Sequence, residues 1–370
     1  MYITLPVPAS TTELSINDLL YNTPTTNTTV HNTHTFCKGA NDKYWKQIYV
    51  KHYAPLAALI RSLADSAKRQ FPNDSSEYYS TPFYIPKASG GYREINAPGP
   101  ALMWFLKEIT NTLQNRFQLL AHNNAYAYVQ HRSVKDCAMQ HKDNDWFLKL
   151  DLKHFFPSCT KQVILYQLNQ IFPLNYMLEE YTDDWETIID VALLHGQLPQ
   201  GSPLSPLLSN LIMIPFDTHI SRILKKKYGI TYTRYADDIH LSASAPINAN
   251  NIIALIEATL RMLHYPFKLN KEKTRVGSNK GKNWMLGVML NKDHNITVGH
   301  RRKKRFKASI YNFIQDLTNN KIWDIIDVQV LLGEYSYIHN IEPETVDYII
   351  KTYNTKYNID VLKEIKKILA

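Results

Sequence analysis

The amino-acid sequence predicts an α+β protein whose middle alternates strands and helices and whose end is helical. One observation is that short apolar runs, such as WFLKLDLKHFF at 146–156, stand between stretches with apolar residues at helical spacing. The other is that the apolar stretches from about residue 297 onward have helical spacing. No internal repeat is found, so we expect one sheet-containing region with a helical appendage.

The elements can be predicted in chain order. YAPLAALIRSLADSAKRQF has helical periodicity, FYIPKASGGYREINAP predicts two short strands around a Ser-Gly-Gly turn, and ALMWFLKEITNTLQNRF predicts a helix. GQLPQGSPLSPLLSNLIMIPFDTHISRIL begins with Ser and Pro, which suit a helix N-terminus, and continues as a helical apolar stripe at 204, 208, 211, 216, 220 and 223. RYADDIHLSAS predicts a hairpin, a helix follows from about 250 to 264, and NWMLGVML predicts a strand.

Charge and cysteine content narrow the functional classes. The chain has 370 residues, 44% of them hydrophobic, and a net charge of +9. It is therefore long enough for a substantial core, and it favours an anionic partner. Nucleic acid is the first candidate and an anionic membrane surface the second. Cys37, Cys137 and Cys159 lie far apart without a CxxC pair, which argues against a zinc site or a disulfide framework.

The start of the chain differs in composition from the rest. Residues 1–40 are rich in Thr and Asn and poor in large apolar side chains, so we expect an extended arm or a segment that is disordered until bound. MYITLPVPAS lacks a basic segment before an apolar run, and no later stretch approaches membrane-spanning length. A cytoplasmic protein without a membrane partner is therefore expected.

Two acidic segments predict a metal site. Asp151 stands near the end of a predicted strand, and Asp237 and Asp238 stand together in the RYADD turn. If the two strands are neighbours, three carboxylates converge at one sheet edge, and their repulsion requires cations. Such hard oxygen ligands suit Mg²⁺, and two ions about 3.5–4 Å apart could clamp the oxygens of a phosphoryl transfer. For an isolated acidic pair, an exposed turn is the alternative.

Further segments fit the same chemistry. Lys87 and Arg93 flank a Gly-Gly turn, so their side chains could lean over a triphosphate. Gly201 permits close backbone approach, and Gln200 beside it offers an amide donor and acceptor. Lys273 in LNKEKT could supply charge or a proton to a leaving pyrophosphate. Each of these residues, taken alone, is explained equally well as an exposed surface or loop residue. It is the order of the segments along the chain that indicates a common site.

Five segments resemble, in order and spacing, motifs of the reverse transcriptases, most closely those of the retron-type and defence-associated bacterial group. The segments are IPKASGGYREINAP, FLKLDLKHFFPS, LPQGSPLSPLLSN, YADD and LNKEKT. The resemblance covers roughly residues 80–340. The motifs are specific as a set, whereas YADD alone is weak. The resemblance implies a right-hand polymerase with fingers, a palm with a ferredoxin-like antiparallel sheet, and a helical thumb. The implied domains are fingers and palm at 41–296 and thumb at 297–370.

The resemblance also implies roles for individual residues. Asp151 and Asp237 would bind two Mg²⁺ ions, for which Mn²⁺ can substitute, with Asp238 completing the acidic cluster and the Leu152 backbone carbonyl as a further contact. The residues implied to contact the nucleotide are Lys87 and Arg93 on the triphosphate, Gln200 along the sugar and primer end, Phe156 at the position that excludes a ribose 2′-OH, and Lys273. Phe156 therefore favours deoxynucleotides, while Phe155 can serve the core instead.

A basic segment, HRRKKRFK at 300–307, begins the implied thumb. Its basic residues are Arg301, Arg302, Lys303, Lys304, Arg305 and Lys307. They cannot all share one helix face, but several could follow the backbone of a nucleic-acid duplex. A solvated charged helix is the alternative.

The implied activity is RNA-directed DNA synthesis that extends a primer 3′-hydroxyl with dNTPs. The expected partners are a dedicated non-coding RNA, the DNA product, and a second defence protein or a second copy of the chain. CAMQH at 137–141 and MLG at 285–287 depart from the Asn-Ala-x-x-His and Val-Thr-Gly of retron enzymes, which favours a defence-associated relative acting against phage. Two alternatives stay open: untemplated or protein-primed DNA synthesis, and an RNA-binding maturase-like protein.

Overall fold

The computed structural model describes residues 42–87, 90–116, 121–278 and 280–369. The predicted extension at 1–40 lies outside the described residues. The chain divides into two compact units. The first comprises the residues up to His131 together with Lys149–Ile239 and Asn248–Thr274, and the second comprises Arg132–Leu148, His240–Ile247 and the residues from Arg275 onward. The domain boundaries at residues 40 and 296 stay predictions.

Helices make up most of both units. Those of the described residues are α1 (Asp42–His52), α2 (Ala54–Gln70), α3 (Pro100–Asn115), α4 (Val134–Met139), α5 (Lys161–Leu168), α6 (Leu174–Glu180), α7 (Thr182–Ala192), α8 (Ser205–Ile212), α9 (Ile214–Tyr228), α10 (Ala249–Met262), α11 (His300–Thr318), α12 (Ile325–Ile341), α13 (Pro343–Tyr357) and α14 (Val361–Leu369). The helical end predicted from about residue 297 is confirmed.

The strands of the described residues form three sheets. They are β1 (Phe83–Pro86), β2 (Tyr92–Ile95), β3 (Trp146–Lys153), β4 (Thr231–Tyr235), β5 (Asp238–Ala243), β6 (Lys268–Leu269), β7 (Arg275–Ser278), β8 (Asn283–Met285), β9 (Val288–Leu290) and β10 (Ile296–Thr297). β1 and β2 form an antiparallel hairpin. β4, β5, β3 and β6 lie side by side in that order, with β7 also pairing with β3, and β8, β9 and β10 form an antiparallel sheet. The predicted α+β class is confirmed.

In the central strand β3, successive side chains alternate between the two faces of the sheet. Leu150 and Leu152 of β3 are buried in the core, and Leu152 lies opposite Leu269 of β6. Because successive side chains point to opposite faces, Lys149 and Asp151 lie on the other face of β3. The two-residue period of β3 therefore places two leucines in the core and one acid and one lysine on the opposite face.

The second unit is built on packed helices. α11, α12, α13 and α14 contact one another and bury Phe306, Ile310, Val328, Ile349 and Ile365. α4 contacts β9 and β10, and it begins with a capping box between Ser133 and Asp136. None of the described helices combines the length and apolarity that crossing a bilayer requires.

Two predicted segments are divided in the structure. The apolar stripe from 204 to 223 is carried by α8 and α9, because Pro215 in the first turn of α9 has no N–H to continue the earlier helix. NWMLGVML is not one strand, so that prediction is wrong. Leu286 and Gly287 have φ angles of 52° and 87°, which turns the chain back and makes β8 and β9 an antiparallel pair.

Candidate active site

The central sheet brings two of the predicted acids together. Asp151 lies in β3 and is only 3% exposed, and Asp237 directly precedes β5, the strand beside β3. The backbone N–H of Leu152 donates to the carbonyl oxygen of Asp237 over 2.9 Å. The convergence expected of neighbouring strands is therefore present, while the catalytic and metal roles of these acids stay proposals.

A buried arginine holds the acidic turn in place. Ala236 has a left-handed φ of 56°, which is strained for a residue with a side chain. Its carbonyl accepts a hydrogen bond of 3.2 Å from Nη1 of Arg234. The Arg234 guanidinium also binds both carboxylate oxygens of Asp217, with Nη2 at 2.7 Å from Oδ2, and both side chains are fully buried. Sequence reasoning missed this arginine, although a charge in the strand TYTRY, whose other residues are β-branched or aromatic, could have drawn attention to it.

The charges of the site are only partly balanced. Lys273 Nζ lies 2.8 Å from Asp151 Oδ1, and Lys149 Nζ lies 3.0 Å from Asp238 Oδ1. The hydrogen bond to Asp151 raises the pKa of Lys273. Burial raises the pKa of Asp237, the Asp238 and Asp151 carboxylates raise it further, and Lys273 opposes the rise. Lys149 was not predicted, but its position two residues before Asp151 placed it on the same strand face.

The donor set of the turn fits a hard divalent cation. Carboxylate oxygens of Asp151 and Asp237 and a backbone carbonyl at Leu152 are ligands of the type that Mg²⁺ prefers. Burial and then the Asp238 and Asp151 carboxylates raise the pKa of Asp237, and a bound cation would oppose both effects by favouring the charged carboxylate. Within the described ranges, no three His, Cys, Asp or Glu side chains are gathered as a finished metal-binding group, in keeping with the pairing of Asp238 with Lys149.

The β1–β2 hairpin carries the two predicted basic residues. Lys87 follows β1, and Arg93 lies in β2 opposite Ile85. Both side chains are exposed. The backbone N–H of Asn96, just after β2, donates to the carbonyl of Gln200 over 2.7 Å. The close approach expected at Gly201 is therefore made by the chain itself, since a Cβ built on Gly201 would lie 2.8 Å from the Asn96 oxygen.

The two phenylalanines after β3 differ in burial, while the nucleotide role of Phe156 stays a proposal. Phe155 is 3% exposed and packs on Phe267 with ring centroids 5.1 Å apart. Phe156 is only partly buried, and its ring centroid lies 6.5 Å from that of Tyr128 in an edge-to-face arrangement. Sequence reasoning did not select Tyr128, because nothing in NNAYAYVQH sets this tyrosine apart from its neighbours.

The basic residues of α11 fall into two groups. Arg302 pairs with Glu334 at 2.9 Å and stacks on the ring of Tyr337, and Lys303 pairs with Glu342. Arg305 makes a longer contact of 3.4 Å with Glu334 and is exposed. The remaining basic side chains, all exposed, are Arg301, Lys304 and Lys307. The expectation that the six do not share one face is therefore confirmed.

Residues 85–298 match the family model described as reverse transcriptase (RNA-dependent DNA polymerase). The match spans more than half of the chain and includes Asp151, Asp237 and Asp238, so this chain belongs to the reverse transcriptase family. Its fold is that of a right-hand polymerase, and its enzyme class is RNA-directed DNA polymerase.

Within the family, the chain is similar to the reverse transcriptases of bacterial retrons. It is 29% identical to the retron Ec83 reverse transcriptase of Escherichia coli over 77% of its own length and 89% of that protein. It is 28% identical to the retron Ec73 enzyme of Escherichia coli, over 83% and 96%. With the retron Mx65 enzyme of Myxococcus xanthus the identity is 32%, over 63% and 55%. The departures in CAMQH and MLG do not remove this similarity.

Solved structures show weaker likeness. Telomerase from Candida albicans with a fragment of telomeric RNA is 13% identical, with a TM-score of 0.41 over 85% of this chain and 67% of that one. Apo telomerase from Candida tropicalis is 12% identical, with a TM-score of 0.43 over 78% and 61%.

Proposed function

We propose that this chain copies a dedicated non-coding RNA into DNA by extending a primer 3′-hydroxyl with deoxynucleoside triphosphates. The observation that carries the proposal is the pairing of β3 with the acidic turn, through the 2.9 Å hydrogen bond from Leu152 N–H to the Asp237 carbonyl. This pairing holds two carboxylates on rigid backbone at one sheet edge. Catalysis of phosphoryl transfer consists mostly of positioning and charge neutralisation, so rigidly placed acids are what it requires.

In this proposal Asp151, Asp237 and the Leu152 carbonyl hold two Mg²⁺ ions, with Mn²⁺ as a substitute and Asp238 completing the cluster. When bound, the ions lower the pKa of the primer hydroxyl and neutralise the triphosphate and pyrophosphate charge. The chain's own contribution is to keep the acceptor oxygens in place: β3 fixes Asp151, and the Arg234 hydrogen bond of 3.2 Å to the Ala236 carbonyl fixes the turn.

The nucleotide would be held by side chains of the same unit. Lys87 and Arg93, both exposed, would bind the triphosphate, and Gln200 would lie along the sugar and the primer end. Phe156 would exclude a ribose 2′-OH, which its partial exposure supports. Lys273 would exchange its contact with Asp151 for the leaving pyrophosphate, and its half-exposed side chain, 55% accessible, supports this.

The basic residues of α11 would bind nucleic-acid backbone. Exposure favours Arg301, Lys304 and Arg305 for this role, since they lie three and four residues apart and so share one helix face. Arg302 and Lys303 are engaged by glutamates of the same unit. We therefore propose that these two mainly stabilise the helical unit.

The test is to purify the protein from cells without nuclease treatment and to sequence the RNA and DNA that accompany it. The double variant Asp237→Asn, Asp238→Asn is prepared in parallel, with Asp143→Asn as the matched control, since the Asp143 side chain is 77% exposed. We expect one structured RNA with a DNA complementary to part of it. The DNA should be absent from the double variant and present in the control.

Other outcomes separate the alternatives. DNA without a complement in the bound RNA would mean untemplated or protein-primed synthesis. RNA alone, the same in wild type and double variant, would contradict the polymerase proposal and favour an RNA-binding, maturase-like protein.

We also propose that this DNA synthesis serves defence against phage, with a second defence protein or a second copy of the chain as partner. The support is the resemblance to defence-associated bacterial enzymes. Cells that carry the gene with its neighbouring non-coding region should plate phage less efficiently than cells with Asp237→Asn. Equal plating efficiency across a broad phage panel would contradict this role.

A further inference from the structure

Tyr128 lies beside the proposed nucleotide site without a role assigned to it. Its side chain is 50% exposed, and its ring meets Phe156 edge to face, with centroids 6.5 Å apart and planes at 70°. Its phenol is close enough to two site residues for their charges to act on it. Burial raises the pKa of Tyr128, the Asp237 carboxylate raises it further, and the Arg93 guanidinium opposes the rise.

The backbone at Tyr128 is strained, with a left-handed φ of 61°. A bulky residue rarely adopts this conformation, which persists only where the surroundings enforce it and is concentrated at functional sites. Neighbouring residues Ala125 and Ala127 are fully buried, whereas Tyr128 points outward. The strain therefore accompanies a side chain that is directed out of the core and toward Phe156.

The segment before Tyr128 is anchored to the elements that carry the acidic turn. Tyr126 N–H donates to the Arg234 carbonyl, and Arg234 N–H donates to the Asn124 carbonyl, both over 2.8 Å. Asn210 of α8 donates from Nδ2 to the Ala127 carbonyl over 2.8 Å. Its Oδ1 accepts from Arg234 Nη1 at 3.2 Å. One buried arginine thus bonds to the acidic turn and to the segment that presents Tyr128.

We propose that Tyr128 is a specificity-determining residue that forms, together with Phe156, one aromatic wall for the sugar of the incoming deoxynucleoside triphosphate. The inference rests on the proposed polymerase function. Phe156 alone is a ring on a short 3₁₀ turn, Phe156–Ser158. Edge-to-face contact with Tyr128 restricts the positions that ring can take. The Phe156 ring can exclude a 2′-hydroxyl only if it keeps its position. The Tyr128 ring therefore sets how strongly the site discriminates against ribonucleotides.

The test uses the full chain with the RNA that accompanies it, and it measures single-nucleotide addition with dNTPs and with rNTPs. The variants are Tyr128→Ala, which removes the ring, and Tyr128→Phe, which keeps it. Tyr228→Ala is the matched control, since Tyr228 is a 40% exposed tyrosine of the same unit outside the site. Thermal melting confirms that each variant is folded, and Tyr128→Leu replaces Tyr128→Ala if the latter is not.

We expect Tyr128→Ala to lower the dNTP-to-rNTP ratio of kcat/KM by about tenfold or more, the scale on which a pocket wall discriminates. Tyr128→Phe and the Tyr228 control should keep the wild-type ratio. Because the two rings act as one wall, adding Tyr128→Ala to Phe156→Ala should lower the ratio little beyond Phe156→Ala alone. A purely structural tyrosine would change the melting temperature without changing this ratio.

Failure of the proposed role of Tyr128 can be distinguished from failure of the polymerase proposal. A folded Tyr128→Ala protein with the wild-type ratio and wild-type KM for dNTPs would overturn the role of Tyr128 and leave the polymerase proposal intact. No nucleotide addition by the wild-type chain, with the same RNA bound to wild type and to Asp237→Asn, would instead overturn the polymerase proposal, and the role of Tyr128 with it.

Discussion

At the scale of single residues, three acids and two lysines share the edge of the central sheet. Asp151 and Asp238 each have a lysine within 3.0 Å, Lys273 and Lys149 respectively. Asp237 is the acid between them whose pKa is raised by burial and by its neighbours. Asp237 therefore carries its negative charge at a cost, first from burial and then from the neighbouring carboxylates, and a bound cation would offset that cost.

The fully buried pair of Arg234 and Asp217 gives the first prediction. Arg234→Met alone leaves Asp217 buried without its partner, and we expect a loss of about 3–5 kcal/mol in the free energy of unfolding. The double variant Arg234→Met, Asp217→Leu should recover much of that stability in urea unfolding, because no unpaired charge is left. It should still synthesise little DNA, because the Ala236 carbonyl has lost its donor. A double variant with wild-type activity would show that the turn does not need the guanidinium.

A buried histidine gives a prediction about pH. Burial lowers the pKa of His141 to about 3, and its Nδ1 lies 2.7 Å from Ser242 Oγ. The unfolded chain takes up this proton near its ordinary pKa of about 6.5. Stability is therefore complete above that pH and falls as the pH drops below it, by up to about 1.4 kcal/mol per pH unit.

Urea unfolding at pH 7.5 and pH 5 checks this, with His141→Asn as the reference because an amide can keep the bond to Ser242. Between these pH values the wild type should lose about 2 kcal/mol more than the variant. An equal loss in both proteins would assign the pH dependence to other groups.

At the scale of elements, the β1–β2 hairpin and the loop before α8 are joined through backbone. Asn96 N–H donates to the Gln200 carbonyl over 2.7 Å. Gly201 has a φ of 120°, and an added Cβ would meet the Asn96 oxygen at 2.8 Å. The hairpin that carries Arg93 and the loop that carries Gln200 therefore depend on a glycine at this position.

We expect Gly201→Ala to push the loop away from β2 and to raise the KM for dNTPs, with a loss of about 1–3 kcal/mol in stability. Gly196→Ala is the matched control, because Gly196 also has a positive φ, 73°, but has open space where a Cβ would lie. It should cost stability through backbone strain and leave the KM unchanged. Equal KM values for the two variants would contradict a link between the hairpin and the loop.

At the scale of the whole molecule, the net charge of +9 predicts binding to nucleic acid, but the charges are not equivalent. In α11, Arg302 and Lys303 are engaged by glutamates. By contrast, the side chains of Arg301 and Lys304 in the same helix are exposed. Only side chains that reach phosphates release counterions and so contribute to the dependence of binding on salt.

The double variant Arg301→Gln, Lys304→Gln should therefore reduce the slope of log K against log salt concentration by about 2, measured with the bound RNA over a salt titration. Lys303→Gln should leave the slope unchanged and lower the melting temperature instead, because it breaks the pair with Glu342. A reversed pattern would place the nucleic acid on the other face of α11.

The features that could be predicted from the sequence are those that depend on residues close together in the chain. The 3.6-residue and 2-residue periods, the turn residues and the order of the motifs were sufficient for the α+β class, the helical end, the hairpin at 83–95 and the acids Asp151, Asp237 and Asp238. The same local reasoning was wrong for NWMLGVML, because a run of apolar residues does not reveal that Leu286 and Gly287 take positive φ angles.

By itself, then, the sequence determined most of the elements, the family and the positions of the three acids, since each of these depends on neighbouring residues. Only the tertiary structure decided which lysine balances which acid, that Arg234 and Asp217 hold the turn, and that Tyr128 faces Phe156. These contacts join residues as far apart as Asp151 and Lys273, 122 positions along the chain. Such pairings depend on strand order and on packing between helices, and no local pattern encodes them.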